Sequence, residues 1–273
     1  MIMDISVIIV NYKTKKETLD AVNSCLTNTS RLKKEIIVVD NGSADGSYAY
    51  LSKKLKNKPS VVLIKGKMNL GFAKAVNLAL KRSKGEYRLL LNSDTRVTNN
   101  CFKRLIDFAE TDKTIGVIGT KLILPNGSIQ DSCFNFPGIV NALKEYWFGL
   151  KGSYSPFYKN RTSQVDAVVG ASFLITPKAF QKVGLFDERY FMYFEDIDYC
   201  RRVKKAGLKV IYYPEVEIFH YHGLSGKGLT EASTQWRRLI PSSVIYHGRI
   251  RYEIINFILW SGQLWKRIIK SKI

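Results

Sequence analysis

Glu35–Asp40 reads EIIVVD and runs straight into Asn41-Gly42-Ser43. Ile36, Ile37, Val38 and Val39 leave no polar gap, so both faces of this segment ask to be buried; short apolar, β-branched runs of this kind form strands covered on both sides. The Asn-Gly-Ser turn ends the strand. Ile5–Val10 (ISVIIV) is a run of the same type, and Lys15–Leu26 between them reads as a helix. Ser47–Lys56 is expected to be helical, Val61–Ile64 a third strand, Gly71–Ser83 a helix with Phe72, Val76, Ala79 and Leu80 on one face, and Glu86–Leu91 a fourth strand. Such alternation predicts an α/β fold, Rossmann-like, with a mostly parallel, doubly wound sheet. Ligands of these sheets sit beyond the carboxyl ends of the strands, where Tyr12, Asp40, Asn41 and Asp94 fall.

Beyond residue 95 the rhythm changes. A helix is expected over Phe102–Glu110, a strand over Gly116–Leu124, one continuous buried strand over Asp166–Thr176, a short helix over Pro177–Val183 and a strand over Leu208–Tyr213. Phe134–Lys159 is rich in Gly, Pro and aromatics with no clean period, and reads as a long mobile segment near an acceptor site. From Lys227 onward nine Lys/Arg (227, 237, 238, 249, 251, 266, 267, 270, 272) face two acids (231, 253). Phe257, Trp260, Leu264 and Ile268 share a helical stripe there. A basic amphipathic helix with tryptophans suits an anionic membrane face; a terminal helix docked on the protein's own core fits equally.

The chain has 273 residues, 45% of them hydrophobic, and a net charge of +20. That charge suggests a polyanionic partner: nucleic acid, an anionic membrane or a phosphorylated substrate. No helix-turn-helix, zinc-finger or RNP-type signal supports nucleic acid, and no GxGxxG follows the first strand. Cys25, Cys101, Cys133 and Cys200 form no CxxC pair. With no signal peptide and no apolar run of membrane-spanning length, the chain reads as cytoplasmic.

Two acidic segments carry the candidate chemistry. Met192–Gly207 (MYFEDIDYCRRVKKAG) sets Glu195, Asp196 and Asp198 at the start of a helix, where acids are also favoured by the dipole. Asn92-Ser93-Asp94 follows the fourth strand; Asp94 is an oxygen ligand suited to a hard divalent ion that bridges a diphosphate. Asn69 and Gly71 precede a helix whose free N–H groups can face a pyrophosphate. His220 and His222 lie in IFHYHGLSG, and His220 is a candidate metal ligand or phosphate contact.

Together VIIVNY (7–12), VVDNGSADGS (38–47), NLGFAKAVN (69–77), LLLNSD (89–94), VGASFLI (169–175), GLFDERYFMYFEDIDYCRRVKKAG (184–207) and His220-x-x-Gly223-x-Ser225 resemble a family 2 glycosyltransferase of the GT-A fold, close to the bacterial rhamnosyltransferase-like group. The resemblance implies a GT-A domain over 1–226, with a nucleotide-sugar half (1–95) and a fused acceptor and catalytic half (96–226), followed by a helical tail (227–273). It implies that Tyr12, Asp40 and Asn41 hold base and ribose, and that Asn69, Gly71 and Asn77 shape the donor pocket beside Asn92 and Ser93. Asp94 matches the last acid of the family's Asp-x-Asp motif, His220 a residue that completes a Mg²⁺ or Mn²⁺ site, and Asp196 the catalytic base, with Glu195 and Asp198 in support. Asn92 stands where that motif has its first acid, which removes one negative charge. The implied reaction is inverting transfer of a sugar, L-rhamnose from dTDP-rhamnose foremost, to a saccharide or polyprenyl-diphosphate-linked acceptor in cell-surface polysaccharide assembly. A catalytically silent sugar-nucleotide-binding scaffold and a basic nucleic-acid-binding protein are the competing readings.

Overall fold

The computed structural model describes residues 3–28, 32–221 and 235–270. In chain order the elements are β1 (Met3–Asn11), α1 (Lys15–Leu26), β2 (Lys34–Asp40), α2 (Ser47–Leu55), β3 (Val61–Lys65), α3 (Phe72–Leu80), β4 (Gly85–Asn92), β5 (Thr95–Val97) and α4 (Cys101–Glu110). They continue with β6 (Ile115–Ile123), β7 (Ile129–Gln130), β8 (Cys133–Phe134), α5 (Ile139–Tyr146), β9 (Ser163–Val165), β10 (Ala167–Val168), β11 (Ser172–Ile175) and α6 (Pro177–Val183). Last come α7 (Glu195–Lys205), β12 (Lys209–His220), α8 (Gln235–His247) and α9 (Arg249–Lys270).

The main sheet runs β3-β2-β1-β4-β11-β6-β12-β5, with β7 on β6 and β9 on β12. β3, β2, β1 and β4 are mutually parallel, and β11 enters antiparallel between β4 and β6. Both faces are covered, as the unbroken apolar runs demand. Ile5, Val7 and Ile9 pack with α1, α2 and α4, while Ile8 packs with α3, α6 and α7 on the opposite side. The first four strands and three helices match the sequence expectation to within a residue or two at most ends.

Four expectations need correction. Asp166–Thr176 is not one strand: β10 pairs with β8 in a separate two-stranded sheet, and the chain kinks through Val169-Gly170-Ala171 before β11 joins the main sheet. Leu208–Tyr213 is too short; β12 continues to His220 past Pro214, where its register with β6 shifts because proline has no N–H to donate. Phe134–Lys159 contains α5, and Glu145 accepts the N–H groups of Tyr154 and Ser155 at 2.7 and 2.9 Å, fastening the following turn. Two turns of helix are too short to show a period. The tail is two helices rather than one, and it docks: Ile255 and Ile258 of α9 pack on Ala142 of α5, and Ser242 of α8 donates to the carbonyl of Met192 at 2.7 Å. Phe257, Trp260, Leu264 and Ile268 remain exposed on the other side. Among the described residues no helix is long and apolar enough to cross a membrane. The boundary expected at 226, and His222, Gly223 and Ser225, lie outside the described residues.

Candidate active site

β1, β2 and β4 end level, with Asn11 opposite Asp40 and Val10 opposite Asn92. A small cavity opens there, about 80 Å³, lined by Tyr12, Asn41, Asn69, Gly71, Asn92 and Ser93, with Phe191 and Met192 closing one side. Asn41 organises it. Its amide donates to Asn69 Oδ1 at 3.0 Å and to the Gly71 carbonyl at 3.2 Å, and its oxygen accepts the Leu70 N–H at 3.0 Å. Gly71 has φ +83°, and a Cβ there would lie 2.4 Å from the Phe191 carbonyl oxygen, so only glycine fits. Phe72 N–H donates to that same carbonyl at 2.7 Å, which locks Phe191 onto the entry to α3.

Two expected donor residues take scaffold positions. Asp40 is buried and accepts from Asn11 Nδ2 at 2.6 Å. Asn77 is buried in α3, where its amide donates to the Phe186 carbonyl and its oxygen accepts the Phe186 N–H, each at 2.9 Å. Neither lines the cavity. Phe191 and Met192, which do, carry no sequence signal beyond their nearness to the acidic helix. Ser93 is held from below by Thr14 Oγ1 at 2.9 Å.

Asp94 and His220 meet by the pairing of β5 with β12, which sets His220 opposite Thr95. His220 Nε2 lies 3.3 Å from Asp94 Oδ1 and 3.3 Å from Asn92 Nδ2. The other ring nitrogen, Nδ1, is 2.6 Å from Gln130 Oε1. An amide oxygen only accepts, so Nδ1 donates to Gln130, and Nε2 faces Asn92 Nδ2 and Asp94 Oδ1. A hydrogen bond on the far nitrogen that fixes the tautomer is the usual support of a metal-binding histidine. Two donor atoms 3.3 Å apart are close enough for both to reach one ion. Among the described residues no three His, Cys, Asp or Glu are grouped to hold an ion. One carboxylate oxygen and one imidazole nitrogen would suit a divalent ion that takes both oxygen and nitrogen donors, Mn²⁺ before Mg²⁺.

The acidic helix begins under strain. Tyr193 and Phe194 have φ of +69° and +67°, a conformation costing about 1–3 kcal/mol per non-glycine residue and concentrated at functional sites. It turns the chain so that Glu195, Asp196 and Asp198 open α7. Asp196 keeps partial exposure and accepts N–H groups from Gly170 at 2.9 Å and Ile197 at 2.8 Å. Gly170 is in the kink between β10 and β11. The next residue, Ala171, accepts the N–H of Asn92 at 3.1 Å, so Asp196 stands one residue from the end of β4. A Cβ on Gly170 would touch both Asp196 and Phe72, at 3.6 and 3.8 Å.

Burial raises the pKa of Asp196, opposed by those two N–H groups. Glu195 is pushed further, by burial and then by the charge of Asp196, and its Oε2 has no partner among the described residues. Adjacent carboxyls pushed apart in this way divide into a proton holder and an available base. A carboxyl that holds its proton more tightly when folded costs stability as pH rises above its unfolded value of about 4.3. Glu195→Gln is therefore expected to leave the melting temperature unchanged near pH 4 and to raise it at pH 8, by about 1–3 kcal/mol of stability. Thermal melts at the two pH values check this. Asp198 is buried beneath, paired with Arg201 at 2.8 Å and Arg202 at 2.9 Å.

A family model described as glycosyl transferase family 2 matches residues 6–128, and one described as glycosyl transferase family group 2 matches 89–270. An N-acetylglucosaminyl-diphospho-decaprenol L-rhamnosyltransferase of Mycobacterium tuberculosis is 28% identical over 207 residues, 68% of this chain and 66% of that protein. The match thus spans just under two thirds of that relative. Rhamnosyltransferase WbbL of Escherichia coli is 26% identical over 66% of this chain and 71% of its own. Among solved structures, the mannosyltransferase PcManGT of Pyrobaculum calidifontis, in complex with GDP-Man and Mn²⁺, superposes with a TM-score of 0.62 over 97% of this chain and 74% of that one, at 16% identity. At that identity the likeness is one of fold, the GT-A fold.

Proposed function

Because the chain belongs to glycosyl transferase family 2, we propose that it is an inverting glycosyltransferase of cell-surface polysaccharide assembly, moving a sugar from a nucleotide-sugar donor to a saccharide hydroxyl. The observation that carries this is the junction at Gly170-Ala171. One of its peptide groups bonds the carboxylate of Asp196 and the other the end of β4, so a base and the donor cavity share one wall.

The nucleoside enters beside Tyr12 and Asn41, and the diphosphate extends toward Asn92-Ser93-Asp94. Asp94 and His220 would hold a divalent cation, Mg²⁺ or Mn²⁺, which would supply positive charge to the departing diphosphate. Asp196 takes the proton from the acceptor hydroxyl as that oxygen attacks the anomeric carbon. Phe191 and Met192 cover the cavity and limit water beside the reacting bond. The likeness to rhamnosyltransferases favours dTDP-L-rhamnose as donor and a sugar on a polyprenyl diphosphate as acceptor, and an acceptor of that kind goes with a reaction at the cytoplasmic face of a membrane.

Titration calorimetry with dTDP, UDP and GDP, with and without Mn²⁺, tests the reading. One nucleotide is expected to bind, at least tenfold tighter with the ion, and Asp94→Asn to remove that gain while leaving metal-free binding. Absence of binding by any nucleoside diphosphate or sugar nucleotide would overturn it.

A further inference from the structure

A second hollow, about 470 Å³, lies between α5, α7 and the tail, bordered by Phe136, Ile139, Arg201, His247, Arg251 and Ile255. Its charge is basic. Arg201 lies over the Tyr246 ring at 4.2 Å and bonds Asp198 through one terminal nitrogen, while its buried Nε has no partner among the described residues. Arg251 is exposed. Burial first, and then Arg201 and Arg251, lower the His247 pKa to about 4. The two guanidinium groups thus converge on one neutral ring. The nearby carboxylates are already paired, Asp198 with Arg201 and Arg202, Asp166 with Lys204. The N-terminus of α5 also opens here, with Gly138 as its cap and no side chain bonded to its first N–H groups.

The hollow adjoins the catalytic carboxyls. Phe194, which precedes Glu195 and Asp196, contacts the rings of Tyr246 and His247 at 5.3 and 5.9 Å. The face of α9 turned away from Ile255 and Ile258 carries an apolar stripe. Ile250, Ile254, Phe257, Trp260, Leu264 and Ile268 follow each other at helical spacing, and all are more than 40% exposed.

We propose that this hollow seats the diphosphate of a lipid-linked acceptor, with the outward α9 stripe resting on the membrane that holds the lipid's hydrocarbon chain. The assignment rests on the glycosyltransferase reading for what the lipid carries. Convergent cations suit the phosphates, the Phe136, Ile139 and Ile255 side chains that border the hollow suit the first carbons of the chain, the exposed stripe suits a membrane surface, and Phe194 links the anchored acceptor to Asp196.

Farnesyl diphosphate, inorganic pyrophosphate and farnesol serve as probes on the full chain in metal-free buffer, followed by tryptophan fluorescence. Farnesyl diphosphate is expected to bind at least tenfold tighter than either fragment and to stay bound when dTDP and Mn²⁺ are added to saturation. Arg251→Glu should weaken it at least tenfold, and Arg251→Lys less than threefold. Displacement by dTDP, equal binding of either fragment, or an unaltered Arg251→Glu variant would each overturn the assignment. Farnesyl diphosphate binding is read without donor, so a failure of every nucleoside diphosphate and sugar nucleotide to bind counts against the transferase reading alone.

Discussion

Asp196→Asn is expected to lower sugar transfer by about 10²–10⁴-fold, the usual contribution of a positioned general base, with nucleoside diphosphate affinity unchanged. The substitution keeps size and shape but removes the site that accepts the proton. It also sets an amide NH₂ against one of the two N–H groups, of Gly170 and Ile197, that now bond the carboxylate. That mismatch costs about 1–3 kcal/mol, so a modest fall in melting temperature accompanies the loss of rate. The pH profile supplies a second readout. The base acts when deprotonated, and burial raises its pKa, so wild-type transfer should fall on acidification at a pH above the ordinary aspartate range. Transfer by Asp196→Asn within tenfold of wild type would remove Asp196 as the base.

The sheet was legible because each of its first four strands is apolar without interruption and each helix between them is long enough to show a period. What the sequence hides is where backbone changes direction. Asp166–Thr176 looks like one strand because its apolar content continues through Val169, Gly170 and Ala171. Yet the kink there supplies the N–H that holds Asp196 and the carbonyl that holds Asn92. Pro214 looks like a strand end, but β12 shifts register past it and delivers His220 to Asp94. Residue type alone also does not separate a polar group that faces a ligand from one that fastens two elements. Asn41 and Asn77 both occur in the quoted motifs, and Asn41 reaches the cavity while Asn77 ties α3 to Phe186. Gln130 falls in no motif, because its role depends on the pairing of β7 with β6.

Asp198→Asn is expected to produce the largest loss of stability. Asp198 is 4% exposed and receives Arg201 Nη2 on one oxygen and Arg202 Nε on the other. Arg202 in turn donates to the carbonyls of Val183 and Leu185 at 3.1 and 2.9 Å, so the carboxylate binds the start of α7 to the end of α6. Removing one partner of a buried pair costs about 3–5 kcal/mol. Both guanidinium groups here keep some solvent access, with side chains 34% and 29% exposed, which argues for the lower end, about 3 kcal/mol. For a chain of this size that corresponds to a fall of roughly 6–12 °C in melting temperature. Denaturant unfolding of Asp198→Asn beside Asp196→Asn separates the two carboxylates. The first should unfold early yet, assayed well below its transition, transfer sugar within about threefold of wild type. The second should lose less stability than the first and transfer almost none. An Asp198→Asn chain as stable as wild type but inactive would instead put this carboxylate in the chemistry, as the resemblance to the family implies, and would make the pairing with Arg201 and Arg202 a means of holding its charge beside Asp196.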